Sequence, residues 1–318
     1  MRSALTRCNL YPDNDAAGLR KKLARLHNVP PEQVLACAGL TDLLGVICRV
    51  LLGPGLNAIS SERSFIVYSV ATKAAGRELI QVPMRENGFD LDAISAAIDD
   101  KTRIVFLANP NNPTGTLFNS GQTDEFLSRI PEHVTVVLDE AYYDYALYFA
   151  EKRGIDYSHS LDYIREQRNV LVLRTFSKAH GLAGARIGYA MGRQELLSRL
   201  AEAQSTFAVS VPAQAGALAA LKDRDHVQHA ARSNFDGAEF LTNGLARLGY
   251  CAPPTWGNFI YCELKQHAMA FAQRMKAEGV VIRPLASWGV PTAIRVTIGR
   301  PEQNEVFLKT FQKLIAPS

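Results

Sequence analysis

The sequence predicts an α/β fold: a large domain with a mainly parallel sheet and helices on both faces, then a smaller C-terminal α/β domain. Short apolar runs alternate with segments of helical periodicity along most of the chain. Several of these runs end in polar turns, as the strands of open parallel sheets do. The hydrophobic content of 47% and the charged content of 21% are typical of a globular protein with a sizeable core.

The N-terminal part of the chain begins this alternation. Leucines recur on one face over residues 15–27, which predicts a helix. The apolar run 34–37 predicts a short strand, and the turn at Gly39 opens a second helix. We expect this helix to end at the segment 53–55, Gly-Pro-Gly.

The middle of the chain continues with six apolar runs that we interpret as strands. They lie at residues 57–60, 78–82, 103–108, 135–138, 170–173 and 187–191. Helical periodicity appears between them at 91–98 and 123–129, and residues 212–248 are mostly helical in pattern. These elements predict one large domain that ends near residue 225.

The C-terminal part predicts a smaller domain. Its strands are expected at residues 259–263, 280–283 and 294–297, and its helices at about 267–278 and 302–315. The chain is therefore expected to divide into residues 1–30, 31–225 and 226–318.

Composition excludes several classes of function. The net charge of +4 is small, and the absence of a basic stripe argues against a nucleic-acid partner. The five cysteines form no C-x-x-C pair and the seven histidines show no ligand spacing, which argues against a metal site. No membrane span or signal peptide is apparent, so we expect a cytoplasmic location.

Polar residues follow three of the predicted strands. Thr41 opens a helix whose free N–H groups would favour a phosphate, although Thr41 would serve equally as a plain N-cap. Asn112 offers an amide donor to an anionic oxygen. Asp139 ends a buried run and needs a partner, either an ordinary cation or the N–H of a pyridinium ring. Tyr142 would then donate to a phenolic oxygen on that ring.

A fourth predicted strand leads into Lys178. A lysine at the end of a buried strand is costly unless its amine is used, and a Schiff base to a carbonyl cofactor is one such use. Arg186 and the hydroxyls of Thr175 and Ser177 suit a phosphate on the same cofactor. Taken alone, the stretch also fits a glycine-rich surface loop with a solvated lysine.

Together these motifs resemble those of the fold-type I pyridoxal-phosphate aminotransferases, and within them the histidinol-phosphate aminotransferases. The resemblance extends from Leu10 to the end of the chain. Its signature is Asn9-Leu-Tyr11-Pro12, Asn111-Asn-Pro-Thr-Gly115, Asp139-Glu-Ala-Tyr142, Ser177-Lys178 with Arg186, and Ile294-Arg295-Val-Thr-Ile-Gly299.

The resemblance implies roles in holding pyridoxal 5'-phosphate. Lys178 would form the Schiff base and move the proton at the substrate's α-carbon, and Asp139 would pair with the pyridine nitrogen. Asn112 and Tyr142 would hold the ring oxygen. Phe65 would stack on the ring, unless it is an ordinary core phenylalanine. The phosphate would be held by Leu40, Thr41, Thr175, Ser177 and Arg186.

The resemblance also implies how substrate and partner bind. Arg295, with Asn112, would bind the substrate's α-carboxylate, a bidentate task suited to guanidinium. Arg283 would bind a distal phosphate, and its alternative is a surface ion pair. Tyr11 would reach the cofactor phosphate of a partner subunit, which implies a homodimer with shared sites. Residues 1–30 would lie at that interface, and residues 31–225 would bind the cofactor.

The implied reaction moves an amino group from histidinol phosphate to 2-oxoglutarate, in amino-acid biosynthesis. Three alternatives remain open: an aromatic amino acid aminotransferase, a threonine-phosphate decarboxylase, and a non-catalytic cofactor-binding protein. The chain departs from the family pattern in two places. Thr41 replaces an acidic residue, and no N-terminal arm with a Ser-Asn-Glu-Asn-Pro-type motif precedes Tyr11. We expect either a truncated chain or a different closure of the site.

Overall fold

The chain folds around two β-sheets, as described for residues 1–315 by a computed structural model. The larger sheet consists of β1 (Val34–Cys37), β2 (Asn57–Ser61), β3 (Glu78–Val82), β4 (Thr102–Ala108), β5 (Thr135–Asp139), β6 (Val170–Thr175) and β7 (Gly188–Met191). The smaller sheet consists of β8 (Phe259–Glu263), β9 (Arg283–Pro284) and β10 (Ala293–Thr297).

Helices connect and cover the strands. The first seven are α1 (Arg2–Leu5), α2 (Ala17–His27), α3 (Leu40–Leu51), α4 (Val67–Ala74), α5 (Leu91–Ala96), α6 (Ser120–Ser128) and α7 (Tyr143–Arg153). They are followed by α8 (Ser160–Arg165), α9 (Gln194–Glu202), α10 (Val211–Ala220), α11 (Arg224–Arg247), α12 (Ala268–Ala277) and α13 (Pro301–Ile315). Short 3-10 turns occur at Pro31–Gln33, Ala183–Ala185 and Ala286–Trp288.

The large sheet is mainly parallel, as predicted. Its strand order is β1-β7-β6-β5-β4-β2-β3. The pairs from β6 to β3 are parallel, whereas β7 runs antiparallel to both of its neighbours, β1 and β6. The carboxyl ends of β4, β5 and β6 therefore meet at one edge of the sheet.

Alternate residues of β4 enter two separate cores. Val105 and Leu107 belong to a buried apolar cluster that includes residues of α2 and α6. Ile104 and Phe106 point the other way, into a cluster that includes residues of α3. Burial of each such side chain contributes about 1.5–3 kcal/mol. Helices therefore cover both faces of the sheet, which confirms the predicted architecture.

The small sheet is antiparallel, with β10 between β8 and β9. Its strand β9 is shorter than predicted, because only Arg283 and Pro284 pair with β10. Val281, in the predicted strand 280–283, is 79% exposed. The chain leaves α12, turns at Gly279 with a φ of +83°, and uses residues 280–282 to reach the sheet. That apolar run connects a helix to the sheet and is not itself paired.

Helix α11 links the two sheets. It contacts α7 beside the large sheet and both α13 and β8 beside the small one. The predicted boundary between residues 225 and 226 falls in its first turn. The limits of the domains therefore stay a prediction.

Candidate active site

A cavity of about 210 Å³ lies at the carboxyl ends of β4, β5 and β6. The register places Ala108 beside Asp139, and Asp139 beside Leu173, so the loops after these strands converge there. We call it the strand-end cavity. A larger cavity, of about 470 Å³, lies between α11 and α13 and includes no residue of a strand end. Position in the sheet, and not size, therefore identifies the candidate site.

The strand-end cavity collects most of the residues singled out from the sequence. Its lining includes Leu40, Thr41, Phe65, Asn112, Asp139, Tyr142, Thr175, Ser177, Lys178 and Arg186. Arg295 does not line it but donates from Nη1 to Oδ1 of Asn112, at 2.5 Å. Tyr11 and Arg283 lie outside it.

Asp139 supplies a buried acidic group to this cavity. It is the last residue of β5 and only 4% exposed. Burial raises the pKa of its carboxyl group to about 6. Hydrogen bonds from the Tyr68 hydroxyl to Oδ2 (2.9 Å) and from the N–H of Ala141 to Oδ1 (3.1 Å) oppose that rise, as does the charge of Lys178. At neutral pH the carboxylate is therefore ionised and held in place.

Lys178 follows β6, and its amine projects over the ring of Tyr142, with Nζ 4.9 Å from the ring centroid. Burial lowers the pKa of this amine, and the positive charges of Arg295 and Arg186 lower it further. The carboxylate of Asp139 opposes the shift. A lowered pKa leaves more of the amine unprotonated, as a nucleophile or a base requires.

The N-terminus of α3 forms an anion-binding cradle with Arg186. The first N–H groups of a helix have no partner within the helix and favour an anion. Gly39 caps α3 with a φ of +89°, and a Cβ built there would lie 2.5 Å from Nη2 of Arg186. The positive φ favours glycine here, and the absence of a Cβ leaves room for the guanidinium group of Arg186. The hydroxyls of Thr175 and Ser177, 3.0 Å apart, lie beside the cradle and line the same cavity.

Asn111 fixes the loop that carries Phe65. Its side chain is fully buried, and its Oδ1 accepts a hydrogen bond from the hydroxyl of Ser64 at 2.9 Å. Its Nδ2 donates to the backbone carbonyl of Arg63 at 3.0 Å. The neighbouring residue, Asn112, is left to face the cavity and Arg295. Asn111 therefore stabilises the loop, and Asn112 is available to a ligand in the cavity.

Two arginines lie side by side on the small sheet. Arg295 in β10 is directly opposite Arg283 in β9, so their side chains share one face. Nε of Arg295 is buried and has no hydrogen-bond partner within residues 1–315. Arg283 is exposed. The pair offers donors to an anion. Because Arg295 contacts Asn112 in the cavity lining, we call the position of Arg283, on the far side of Arg295, the mouth of the cavity.

Comparison with known protein families gives a match over residues 2–311 to the family described as aminotransferase class I and II. The chain belongs to the class I and II aminotransferases. This result confirms the expected family, whose members transfer amino groups between small molecules.

Individual relatives of this aminotransferase carry more specific names. Histidinol-phosphate aminotransferase 2 of Pseudomonas fluorescens (strain Pf0-1) is 43% identical over 316 residues, which are 99% of this chain and 84% of that relative. Among solved structures, histidinol-phosphate aminotransferase from Sinorhizobium meliloti, in complex with pyridoxal-5'-phosphate, has a TM-score of 0.90 at 27% identity. That match covers 99% of this chain and 85% of the other.

A third relative is the putative histidinol-phosphate aminotransferase from Erwinia carotovora atroseptica SCRI1043. Its crystal structure has a TM-score of 0.91 at 25% identity and covers 98% of this chain and 90% of its own. The similarity of both solved structures confirms the predicted fold.

Sequence reasoning missed an ion pair behind the cavity of this aminotransferase. Glu140 and Arg174 are both buried, and Arg174 Nη2 lies 2.8 Å from Glu140 Oε2. The hydroxyls of Ser158 and Ser160 donate to the same carboxylate, at 2.6 Å and 3.1 Å. The pair anchors the residue that follows Asp139. The sequence signal for this ion pair was an acidic residue and a basic residue at the ends of two apolar runs, those of β5 and β6.

Tyr11 lies at the surface. Its side chain is 82% exposed, and its ring stacks on that of Phe207 at a centroid distance of 4.6 Å. With Leu10, which is 59% exposed, these rings form an apolar patch away from the strand-end cavity.

Residues 1–315 contain neither a membrane-spanning helix nor a metal-binding cluster. No helix there is both long and apolar enough to cross a membrane. No three histidine, cysteine, aspartate or glutamate side chains of this region are grouped in a way that would hold a metal ion.

Proposed function

We propose that this aminotransferase is a pyridoxal-phosphate-dependent enzyme that takes the amino group of histidinol phosphate and passes it to 2-oxoglutarate. The observation that carries the proposal is the strand-end cavity, where a buried carboxylate, an amine of lowered pKa and an anion-binding cradle line the same walls. The choice of substrate is supported by the two arginines of the small sheet and by the names of the relatives.

The residues of the cavity fit the cofactor group by group. Gly39 brings the guanidinium group of Arg186 close to the N-terminus of α3, and the donors of this cradle suit a phosphate. The ionised carboxylate of Asp139 suits a protonated ring nitrogen. The amine of Lys178 suits an aldehyde carbon, and Phe65 offers an aromatic face.

When bound, pyridoxal phosphate supplies a carbonyl carbon for a Schiff base and a protonated ring that withdraws electrons from the substrate's α-carbon. Asp139 holds the proton on the ring nitrogen, because its carboxylate is ionised above about pH 6. Asn112 and Tyr142 orient the ring through its phenolic oxygen. Leu40 and Thr41 bind the phosphate through backbone N–H groups, with Arg186 and the hydroxyls of Thr175 and Ser177.

Lys178 moves the proton at the substrate's α-carbon. Its Nζ is the basic nitrogen of the cavity, and burial with two nearby guanidinium groups lowers its pKa. A base whose pKa lies closer to neutrality is unprotonated more often and still accepts a proton effectively. Lys178 would therefore both hold the cofactor's carbonyl carbon and move this proton.

The two arginines match anionic groups of the two proposed substrates: the carboxylate next to the keto carbon of 2-oxoglutarate, and the phosphate of histidinol phosphate, which has no carboxylate. Arg295 would take the group next to the reacting carbon, because its Nε is a buried free donor among residues 1–315 and Asn112 orients its Nη1. Arg283 lies across the strand pair and reaches further towards solvent. A distal phosphate on the substrate would therefore meet Arg283.

We further propose a homodimer in which Tyr11 reaches the phosphate of the partner subunit's cofactor. The exposed rings of Tyr11 and Phe207 support this assignment, because a stacked aromatic patch is suited to burial against a second copy. Light scattering should then give twice the monomer mass, and a monomer at micromolar concentration would contradict it. The cytoplasmic location also stays a prediction.

A half-reaction screen tests the proposed substrate. The loaded enzyme is mixed with histidinol phosphate, threonine phosphate, phenylalanine or aspartate, without an acceptor, and the absorbance of the cofactor is followed. Histidinol phosphate should convert the aldehyde form to the amine form at the lowest donor concentration. A response to phenylalanine alone would contradict the phosphate assignment, and release of carbon dioxide from threonine phosphate would indicate a decarboxylase. No response to any donor would favour a non-catalytic protein.

A further inference from the structure

Tyr68 makes a hydrogen bond that the proposed mechanism does not use. Its hydroxyl donates to Oδ2 of Asp139 at 2.9 Å. The two side chains are 1% and 4% exposed, so water does not compete for this bond. Tyr68 lies in α4 and does not line the strand-end cavity. It therefore contacts the carboxylate from behind, on the side away from the cavity.

Packing fixes the direction of this hydroxyl. The ring of Tyr68 stacks on that of Phe106 in β4, with centroids 4.8 Å apart and planes within 5°. Phe65 meets the same ring edge-on at 5.7 Å. A ring held on two sides by aromatic neighbours keeps its hydroxyl aimed at one oxygen. The other oxygen of Asp139 accepts the N–H of Ala141.

We propose that Tyr68 is a positioning residue for Asp139, which holds the carboxylate ionised and directs its remaining lone pairs into the strand-end cavity towards the cofactor's ring nitrogen. The inference deepens the proposed function and rests on it. Tyr68 touches neither substrate nor cofactor, and it acts through Asp139 alone.

The electrostatic surroundings of Asp139 support this assignment. Charged or titratable groups face it from several elements: Tyr68 from α4, Glu140 from the end of β5, Tyr142 from the start of α7, Tyr157 from the segment before α8, and Lys178 from the loop after β6. Burial is the main influence that raises the pKa of Asp139, and the hydrogen bond from Tyr68 is the first of those that lower it.

Tyr68 keeps its own proton under these conditions. Burial and the adjacent carboxylate raise the pKa of its phenol well above the usual value of 10. The hydroxyl therefore remains a donor over the whole range in which Asp139 titrates. Its removal leaves the buried carboxylate with one donor fewer and raises the pKa of Asp139 above about 6.

The test is the affinity of the apoenzyme for pyridoxal phosphate as a function of pH, measured by equilibrium titration for wild type and Tyr68→Phe. The variant keeps the ring and its stacking. We expect binding about 10-fold weaker than wild type near pH 6, and a gap that closes towards about pH 9, where Asp139 is ionised in both proteins. The variant's affinity profile should thus move to higher pH.

Two matched controls separate positioning from packing. Tyr163→Phe removes another buried hydroxyl that donates to a carboxylate, that of Asp124, away from the cavity, and should bind as wild type does. In the Asp139→Asn protein, adding Tyr68→Phe should leave the pH profile unmoved, because no carboxylate remains to titrate.

Two results would overturn the assignment to Tyr68. One is wild-type affinity of Tyr68→Phe at every pH, and the other is a loss of affinity that does not vary with pH. Failure of the wild-type protein to bind pyridoxal phosphate is a different outcome. It would contradict the proposed function itself, and it would be seen before any variant was compared.

Discussion

The floor of the strand-end cavity and Arg283 at its mouth follow opposite physical rules. On the floor, Asp139 and Tyr142 are buried, and burial is the largest influence on the pKa of each. At the mouth, Arg283 lies in solvent, where screening weakens every charge interaction. Interactions on the floor are therefore strong and few, and those at the mouth are weak and easily changed. The chemistry should be robust and the substrate preference adjustable.

The same contrast appears in what supports each group. Two hydrogen bonds from different elements fix the carboxylate of Asp139, and the strand β5 fixes its backbone. Arg283 lies on a two-residue strand that pairs with β10. We call Arg295, which lies between Asn112 and Arg283, the wall of the cavity. The effects of substitutions should thus decrease from the floor through the wall to the mouth.

The largest effect is expected for Lys178→Ala. Loss of the amine removes both the Schiff base and the base at the α-carbon, so kcat should fall about 10⁴-fold or more. The absorbance of the Schiff base should vanish as well. Lys222→Ala, at an exposed lysine between α10 and α11, serves as the control and should leave both unchanged. Persistence of the absorbance band in Lys178→Ala would show that another residue holds the cofactor.

Asp139→Asn should weaken cofactor binding about 100-fold, because a neutral amide replaces a charged hydrogen-bond acceptor.

The same substitution, Asp139→Asn, should stabilise the apoprotein. Folding raises the pKa of Asp139 from 3.8 to about 6, so the native state binds its proton more tightly than the unfolded chain. Stability that Asp139 contributes when protonated is lost as the pH rises from about 4 to about 6.

Denaturant unfolding of the two apoproteins at several pH values measures this difference. Between pH 4 and pH 7, the free energy of unfolding of Asp139→Asn should rise relative to that of wild type by up to about 3 kcal/mol. Above pH 7 the difference between the two proteins should stay constant. A difference in the free energy of unfolding that stays constant across this range would mean that the carboxyl group of Asp139 titrates normally in the fold. The floor of the cavity would then be more hydrated than its burial indicates.

Arg295→Lys tests the wall between floor and mouth. A lysine keeps the charge but lacks the planar pair of donors, so the KM for 2-oxoglutarate and for phenylalanine, which carry a carboxylate next to the reacting carbon, should rise about 10-fold. Arg300→Lys, at an exposed arginine past the same strand, is the matched control. Equal KM values for Arg295→Lys and wild type would place the carboxylate of the substrate elsewhere.

The smallest effect is expected at the mouth. Arg283→Gln should raise the KM for histidinol phosphate about three- to fivefold, since an exposed ion pair contributes up to about 1 kcal/mol. The KM for phenylalanine, which carries no phosphate, should stay at its wild-type value and provides the internal control. An equal rise for both donors would assign Arg283 to general stability and not to recognition of the phosphate.

The sequence predicted the floor of the cavity well. Parallel strands end at a common edge, so polar residues after separate apolar runs had to converge, and Asn112, Asp139 and Lys178 do. Such convergence follows from topology alone. It needs no knowledge of side-chain packing.

Contacts that depend on packing were beyond the same reasoning. Tyr68 meets Asp139 across 71 positions of sequence, through the stacking of α4 on Phe106, and no spacing encodes that contact. The sequence also did not predict the register that places Arg283 opposite Arg295. The apolar run 280–282 has the composition of a strand, but it connects α12 to β9. Long-range side-chain contacts of this kind come from tertiary packing.

The most direct test of the central claim is to trap the cofactor where it binds. The purified protein is incubated with pyridoxal phosphate, the Schiff base is reduced with borohydride, and the modified peptide is identified by mass spectrometry. The account predicts one modified site, at Lys178, with its extent reduced in Asp139→Asn at equal cofactor concentration. Modification at another lysine, or none at Lys178, would contradict the assignment of this cavity as the active site.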